Sequence, residues 1–164
     1  MIAQNLIFGA IAGAMGLAAI RVVTTKNIVH AALYLVVVLA GVAAIYILLA
    51  AEFTAAVQVL VYIGAILVLF LFGIMLTRAP IGSTSNLDND QRGVALVVSL
   101  LLLGVLGAVL QDAFGATRLP EDTAVQRTAE VGTSIFQTYV IPFEVVSVLL
   151  LAALVGAVVI ARRD

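Results

Sequence analysis

The sequence predicts an all-α integral membrane protein with five transmembrane helices, an amino terminus outside and a cytoplasmic carboxyl terminus. Hydrophobic residues make up 64% of the 164 residues and charged residues 10%, against roughly 45–50% and about 25% in typical soluble proteins. So few polar residues cannot cover the surface that a soluble domain of this size exposes to water. The apolar residues also fall into long runs, and the lysines and arginines concentrate in alternate loops.

Five apolar runs have the length of a membrane span. A helix rises about 1.5 Å per residue, so crossing ~30 Å of hydrocarbon takes about 20 residues. The runs occupy residues 1–20, 28–50, 53–76, 93–111 and 139–161. The second and third are separated only by Glu52, which belongs at a water interface, so a tight turn is predicted at 50–53. Residues 1–164 are thus predicted to form a single membrane domain.

Two polar loops separate the last three spans, at residues 77–92 and 112–134. The second loop contains Pro120, two acidic residues and then Gly132, a pattern that predicts a short surface helix with a proline start and a glycine stop.

The orientation follows from the distribution of basic residues. Six lie on one side of the predicted spans: Arg21, Lys26, Arg78, Arg92, Arg162 and Arg163. Two lie on the other side, Arg118 and Arg127. Because basic residues concentrate in cytoplasmic loops, the first side is predicted to face the cytoplasm.

Composition excludes several kinds of site. The chain has no cysteine and one histidine, His30, which excludes disulfides, iron–sulfur clusters and thiolate zinc sites. It has no basic block, and nucleic-acid binding requires one. We therefore expect the lipid bilayer and other membrane proteins as partners, and no nucleic acid.

Three ionisable residues in or beside the spans are candidates for carrying protons. Glu144 is a candidate proton relay because carboxylates are rare at membrane depth, although its place two residues after Pro142, in the first turn of the span, favours a helix-dipole role. His30 titrates near neutral pH and is a candidate proton-entry group. Its shallow position favours an interfacial role, and the same holds for Glu52 as a turn-fixing charge.

The third span is the most informative segment. In AAVQVLVYIGAILVLFLFGIML, Gln58 and Tyr62 stand one α-helical turn apart, and their common face is expected to point into protein rather than lipid. Gly64 and Ala65 permit close helix approach. Glycine also weakens an α-helix by about 1 kcal/mol relative to alanine, which makes a π-bulge or a register shift cheaper. Packing is nevertheless the usual role of small residues and a tyrosine in a membrane helix.

This span closely resembles the third helix of subunit J of the proton-translocating NADH:quinone oxidoreductase (respiratory complex I), the counterpart of mitochondrial NADH dehydrogenase subunit 6. The likeness rests on VQVLVYIGAILVLFLFGIML and extends to NIVHAALYLVVVLAGVAAIYILLAAEF and IPFEVVSVLLLAALVGAVVIARR. It implies a multi-pass subunit of the bacterial cytoplasmic membrane, beside subunits H, A and K, with N as a further candidate neighbour. The complex it implies uses NADH, FMN, Fe–S clusters and quinone, all held by other subunits.

The resemblance also implies a role for the third helix. In this family the helix changes between α and π-bulged forms and gates a proton path, which carries over here to Val61, Tyr62, Gly64 and Ala65 as the hinge. Some bacterial relatives have a glutamate where this chain has Gln58. A carboxylate relay in this helix is therefore not expected, although Gln58 could hydrogen-bond a water in a proton wire.

Other functions stay open from the sequence. The chain could serve a related membrane-bound hydrogenase, another dehydrogenase or a multisubunit cation/proton antiporter, or it could be a passive structural subunit. A stand-alone transporter is disfavoured because no pair of broken helices or charged residues forms a mid-membrane site. Gly9, Gly13 and Gly16 are expected to offer close-packing surfaces to neighbouring helices.

Overall fold

The computed structural model describes residues 2–77, 91–117 and 127–162, and the regular elements in these ranges are all helices. In chain order they are α1 (Ile2–Thr24), α2 (Ile28–Leu48), α3 (Glu52–Val57), a π-helix (Gln58–Leu67), α4 (Val68–Leu76), α5 (Arg92–Phe114), α6 (Thr128–Thr133), a second π-helix (Ser134–Thr138) and α7 (Val140–Ala161). We call Gln58–Leu67 the π segment and the continuous helix Glu52–Leu76 the third span.

The prediction of an all-helical chain with five long apolar helices is confirmed. Five helices of 21 to 25 residues are long and apolar enough to cross a membrane. Two of them extend past the apolar runs that predicted them. In α1 the backbone N–H of Thr25 still donates to the Arg21 carbonyl at 3.1 Å, and in α5 that of Gly115 donates to the Gln111 carbonyl at 2.8 Å. Backbone hydrogen bonding therefore carries both helices beyond the hydropathy boundary.

The short helix predicted in the second loop differs from what the sequence pattern indicated. Pro120 lies outside the described residues. Gly132 does not end a helix but lies inside α6, which passes directly into the second π-helix. The helix continues because the Tyr139 N–H donates to the Ser134 carbonyl at 2.9 Å, across five residues. At the start of α6 the Glu130 carboxylate accepts the Arg127 N–H at 3.2 Å.

A tight turn joins α2 to the third span, close to where Glu52 predicted it. Ala50 has a φ of +56°, and its N–H donates to the Ile47 carbonyl while that of Ala51 donates to the Tyr46 carbonyl at 2.9 Å. These two bonds form a Schellman motif, which places one left-handed residue just past the end of a helix. Glycine usually occupies that position, since the left-handed conformation costs other residues about 1–2 kcal/mol.

Ala50→Gly is therefore expected to stabilise the protein by about 1 kcal/mol, because it removes the left-handed penalty at the loss of one methyl group. The midpoint of thermal unfolding of the purified membrane complex would measure the change. Ala56→Gly, the same substitution inside α3, is the control and should destabilise by about 1 kcal/mol. A loss of stability in Ala50→Gly would contradict the assignment of strain to the turn.

Helix α2 is the centre of the packed part of the chain, with α1 on one side and the third span on the other. At Gly41 the two helices are in close contact, because an added Cβ would lie 2.6 Å from the Met15 Sδ. The sequence drew attention instead to Gly9, Gly13 and Gly16. All three are exposed with open space around their Cβ positions, so within the described chain they are not packing surfaces.

Helices α5 and α7 have no buried residue. Among the described elements, α5 packs against none and α7 packs only against the adjoining second π-helix. Their apolar surfaces must therefore be covered by lipid or by other subunits.

Candidate functional site

The candidate site is the π segment, ten residues in the middle of the third span. A π-helix closes its hydrogen bonds across five residues and occurs mostly as a single-turn bulge, frequently at functional sites. Here it extends over about two turns and is continued by regular α-helix on both sides. Local sequence favours the departure, because β-branched residues and glycine lower the preference for the α form.

The four residues of the predicted hinge, Val61, Tyr62, Gly64 and Ala65, all lie inside the π segment. The sequence indicated that a bulge is cheap here but did not show one. Gly64 has little contact within this chain, since an added Cβ would meet only the Val59 carbonyl oxygen at 3.4 Å. The need for a glycine therefore does not come from packing inside the chain, and the role of these residues as a hinge stays a prediction.

Gln58 is the first residue of the π segment. Among the described residues it is the one polar residue that is buried, with 7% of its surface exposed. Its Nε2 donates to the backbone carbonyl of Leu39 on α2 at 3.5 Å. An amide without a partner in an apolar surrounding costs roughly 2–7 kcal/mol, so this contact ties the third span to α2. The expectation that Gln58 points into protein is confirmed.

Tyr62 does not share that environment. Its side chain is 48% exposed in this chain, so the expectation that Tyr62 points into protein stays a prediction. The two residues still lie only about 30° apart around a π-helix, but the contact with α2 covers Gln58 and leaves Tyr62 half exposed. Tyr62 instead offers its surface to lipid or to another subunit.

Glu144 lies at the fifth residue of α7. The prediction that it lies in the first turn is wrong, because α7 begins at Val140 and is preceded by helical structure. The helix-dipole reading of this carboxylate is correspondingly weaker. Among the described elements α7 does not pack against the third span, so this chain alone does not bring Glu144 to the π segment.

His30 lies near the start of α2, and Glu52 lies at the start of the third span. Both are away from the π segment. His30 is exposed in the first turn of α2, where its backbone N–H donates to the Asn27 side chain at 3.3 Å. Glu52 is the first residue of α3, and it is also exposed. Neither contacts Gln58 through an observed hydrogen bond, and both fit interfacial positions.

The second π-helix, Ser134–Thr138, is a feature that sequence reasoning missed. It leads into α7, and Phe136 and Phe143 stack edge to face across the junction with ring centroids 5.0 Å apart. The signal that could have indicated it is Pro142, which has no N–H to donate to the carbonyl four residues earlier and so disturbs α-helical bonding.

The described residues contain no group of three or more histidine, cysteine or acidic side chains that could hold a metal ion. The site thus consists of one amide, one tyrosine and a helix of unusual hydrogen bonding.

Comparison with known proteins gives a consistent result. Residues 18–160 match the family model for NADH-ubiquinone/plastoquinone oxidoreductase chain 6. F(420)H(2) dehydrogenase subunit J from Methanosarcina mazei is 43% identical over 98% of this chain and 92% of its own length. NAD(P)H-quinone oxidoreductase chain 6 from Leptolyngbya boryana is 37% identical over 98% of this chain and 81% of its own. The chloroplastic subunit 6 of Chlorokybus atmophyticus is 37% identical over 93% and 80%.

Five apolar helices, with one buried amide and a π segment in the third, define a multi-pass membrane protein. Within that class, the chain belongs to the family of NADH-ubiquinone/plastoquinone oxidoreductase chain 6. The resemblance to subunit J in the third span is thereby confirmed.

Proposed function

We propose that this chain is a membrane-arm subunit of a proton-translocating NADH:quinone oxidoreductase and that its π segment couples quinone reduction to proton movement. The observation that carries the proposal is the ten-residue π-helix in the middle of a membrane span. A π-helix can return to the α form by exchanging hydrogen-bond partners along its own backbone. Such a segment is a two-state element, which coupling between distant sites requires.

The distribution of polar groups supports a gate rather than a pump. A proton path needs titratable or hydrated groups through the full depth of the bilayer. Inside the third span this chain offers Gln58 and Tyr62, and it places Glu144, His30 and Glu52 elsewhere. The chain therefore has no catalytic activity of its own in this proposal, and it binds no NADH, FMN, Fe–S cluster or quinone, which belong to other subunits.

The proposal also includes a setting for the chain. The amino terminus faces outward and the carboxyl terminus the cytoplasm, in a bacterial cytoplasmic membrane. The uncovered helices α5 and α7 pack against lipid and against neighbouring subunits corresponding to H, A and K, with N as a further candidate. Uncovered apolar helices support partners in general, since small and apolar faces associate by packing in the membrane.

Purification through a tag on this chain tests the proposal. We expect several other membrane proteins to co-purify with NADH:quinone oxidoreductase activity, and we expect reconstituted vesicles to acidify on NADH addition. Deletion of the chain should abolish acidification. A stable complex that translocates protons at the normal ratio without this chain would refute the proposal.

A second candidate is supported by the 43% identity to F(420)H(2) dehydrogenase subunit J. In that case the same membrane subunit serves a complex with a different electron donor. The same preparation decides between the two, because oxidation of reduced F(420) in place of NADH identifies the related dehydrogenase. The gate assigned to the π segment is common to both.

A further inference from the structure

The two ends of the π segment are buried, and the residues between them are not. Gln58 is 7% exposed and Leu67 is 4% exposed, whereas Leu60 is 72% exposed. Ile63, five residues after Gln58, is half-buried. Apart from its neighbours in the third span, α2 is the one described element that packs against the π segment. Helix α2 therefore covers both ends.

This burial pattern depends on the helix type. Nine residues of α-helix turn the chain by about 900°, which places the second residue about 180° from the first. A π-helix has roughly 4.4 residues per turn, so nine residues turn it by about 740° and leave the two only about 20° apart. Gln58 and Leu67 can thus face α2 together in the π form and cannot do so in the α form.

We propose that Gln58 and Leu67 are positioning residues that together select the π form of the third span by packing against α2. Gln58 holds one end through its bond to the Leu39 carbonyl, and Leu67 holds the other by close packing. We call this pair the register clamp. The inference deepens the proposed gate and rests on it for its functional meaning.

The clamp also assigns a direction to the change of form. Turning Gln58 outward would leave its amide in hydrocarbon, which is costly. Turning Leu67 outward loses its close packing but leaves no polar group without a partner, so it costs less than turning Gln58 outward. The half of the third span that contains Leu67 and α4 therefore rotates, while the half that contains Gln58 stays against α2. Rotation brings Ala65, seven residues after Gln58, onto the face toward α2.

Leu67→Ala tests the clamp in the intact purified complex. Removing the larger side chain weakens only the π form, so the ratio of α-form to π-form particles is expected to rise about tenfold over wild type. Cryo-electron microscopy would measure the ratio by sorting particles according to which side chains after residue 63 face α2. Leu60→Ala, the same truncation at an exposed position of the same segment, is the matched control and should leave the ratio unchanged.

Two further variants keep the test decisive. Leu67→Val is a smaller change that should shift the ratio in the same direction by a smaller factor, and it substitutes for Leu67→Ala if that complex does not assemble. Ala65→Leu combined with Leu67→Ala moves the large side chain to the α-form position and should shift the ratio further. An unchanged ratio in Leu67→Ala or Leu67→Val, or an equal shift in Leu60→Ala, would overturn the clamp.

Measuring both the α-to-π ratio and the number of protons moved per NADH distinguishes a failure of the clamp from a failure of the gate. If the register shifts in Leu67→Ala while the number of protons moved per NADH stays normal, the clamp stands and the proposed gate fails. If the proton number falls with no shift in register, the clamp is overturned and the gate is not.

Discussion

Gly64→Leu is expected to slow proton-coupled quinone reduction about tenfold or more. The position is exposed within this chain, and an added Cβ meets only the Val59 carbonyl oxygen at ordinary distance, so the variant chain should still fold. In the proposed complex other helices cover this surface, and overpacking it is expected to cost about 1–3 kcal/mol; about 1.4 kcal/mol is a tenfold change in rate. Leucine also favours the α form over glycine by nearly 1 kcal/mol. Steady-state NADH oxidation with simultaneous vesicle acidification would measure the effect.

Two controls define where this effect comes from. Gly64→Ala should behave nearly as wild type, because one methyl group finds room at 3.4 Å. Gly73→Leu makes the larger change in regular α-helix outside the π segment, at a position with open space, and should be milder. Equal losses in Gly64→Leu and Gly73→Leu would show that bulk anywhere on the third span is harmful and would remove the special role of the π segment.

Gly41→Leu is expected to destabilise the protein by about 3 kcal/mol, the upper end of the cost of overpacking. Gly41 lies in the contact between α1 and α2, and a Cβ there collides with the Met15 Cγ and Sδ. The leucine must push α1 away from α2 or force Met15 into another rotamer. The midpoint of thermal unfolding of the complex, compared with wild type, would measure the loss.

A second substitution identifies the partner in this contact. Met15→Ala removes the colliding atoms, so it should restore a large part of the stability that Gly41→Leu loses. Gly104→Leu places the same bulk on α5, where nothing lies within 4 Å of the Cβ position. Additive losses in the Met15→Ala and Gly41→Leu double variant would mean that the two residues do not interact and that the packing of α1 on α2 is wrongly described.

The candidate site was partly predictable from the sequence. Gln58, Tyr62 and Gly64 attracted attention because polar and small residues are conspicuous in a membrane span, and all three lie in the π segment. Leu67 did not, because a leucine among apolar residues carries no signal of its own. Its proposed part in the site depends on the helix making about two full turns between Gln58 and Leu67, which the π form does and the α form does not.

Sequence alone determined the five spans, the family and the place of the turn before Glu52, because each depends on local properties: the length of an apolar run, a short string of residues, or one charge that must reach water. The tertiary structure decided which side of each helix is buried, that Gly41 rather than Gly9 makes the close contact, and that the third span is a π-helix where it meets α2. The physical reason is that lipid covers whatever protein does not, so every face of these helices is apolar. Hydropathy then does not indicate which face of a helix packs against protein, and only the contacts between helices decide it.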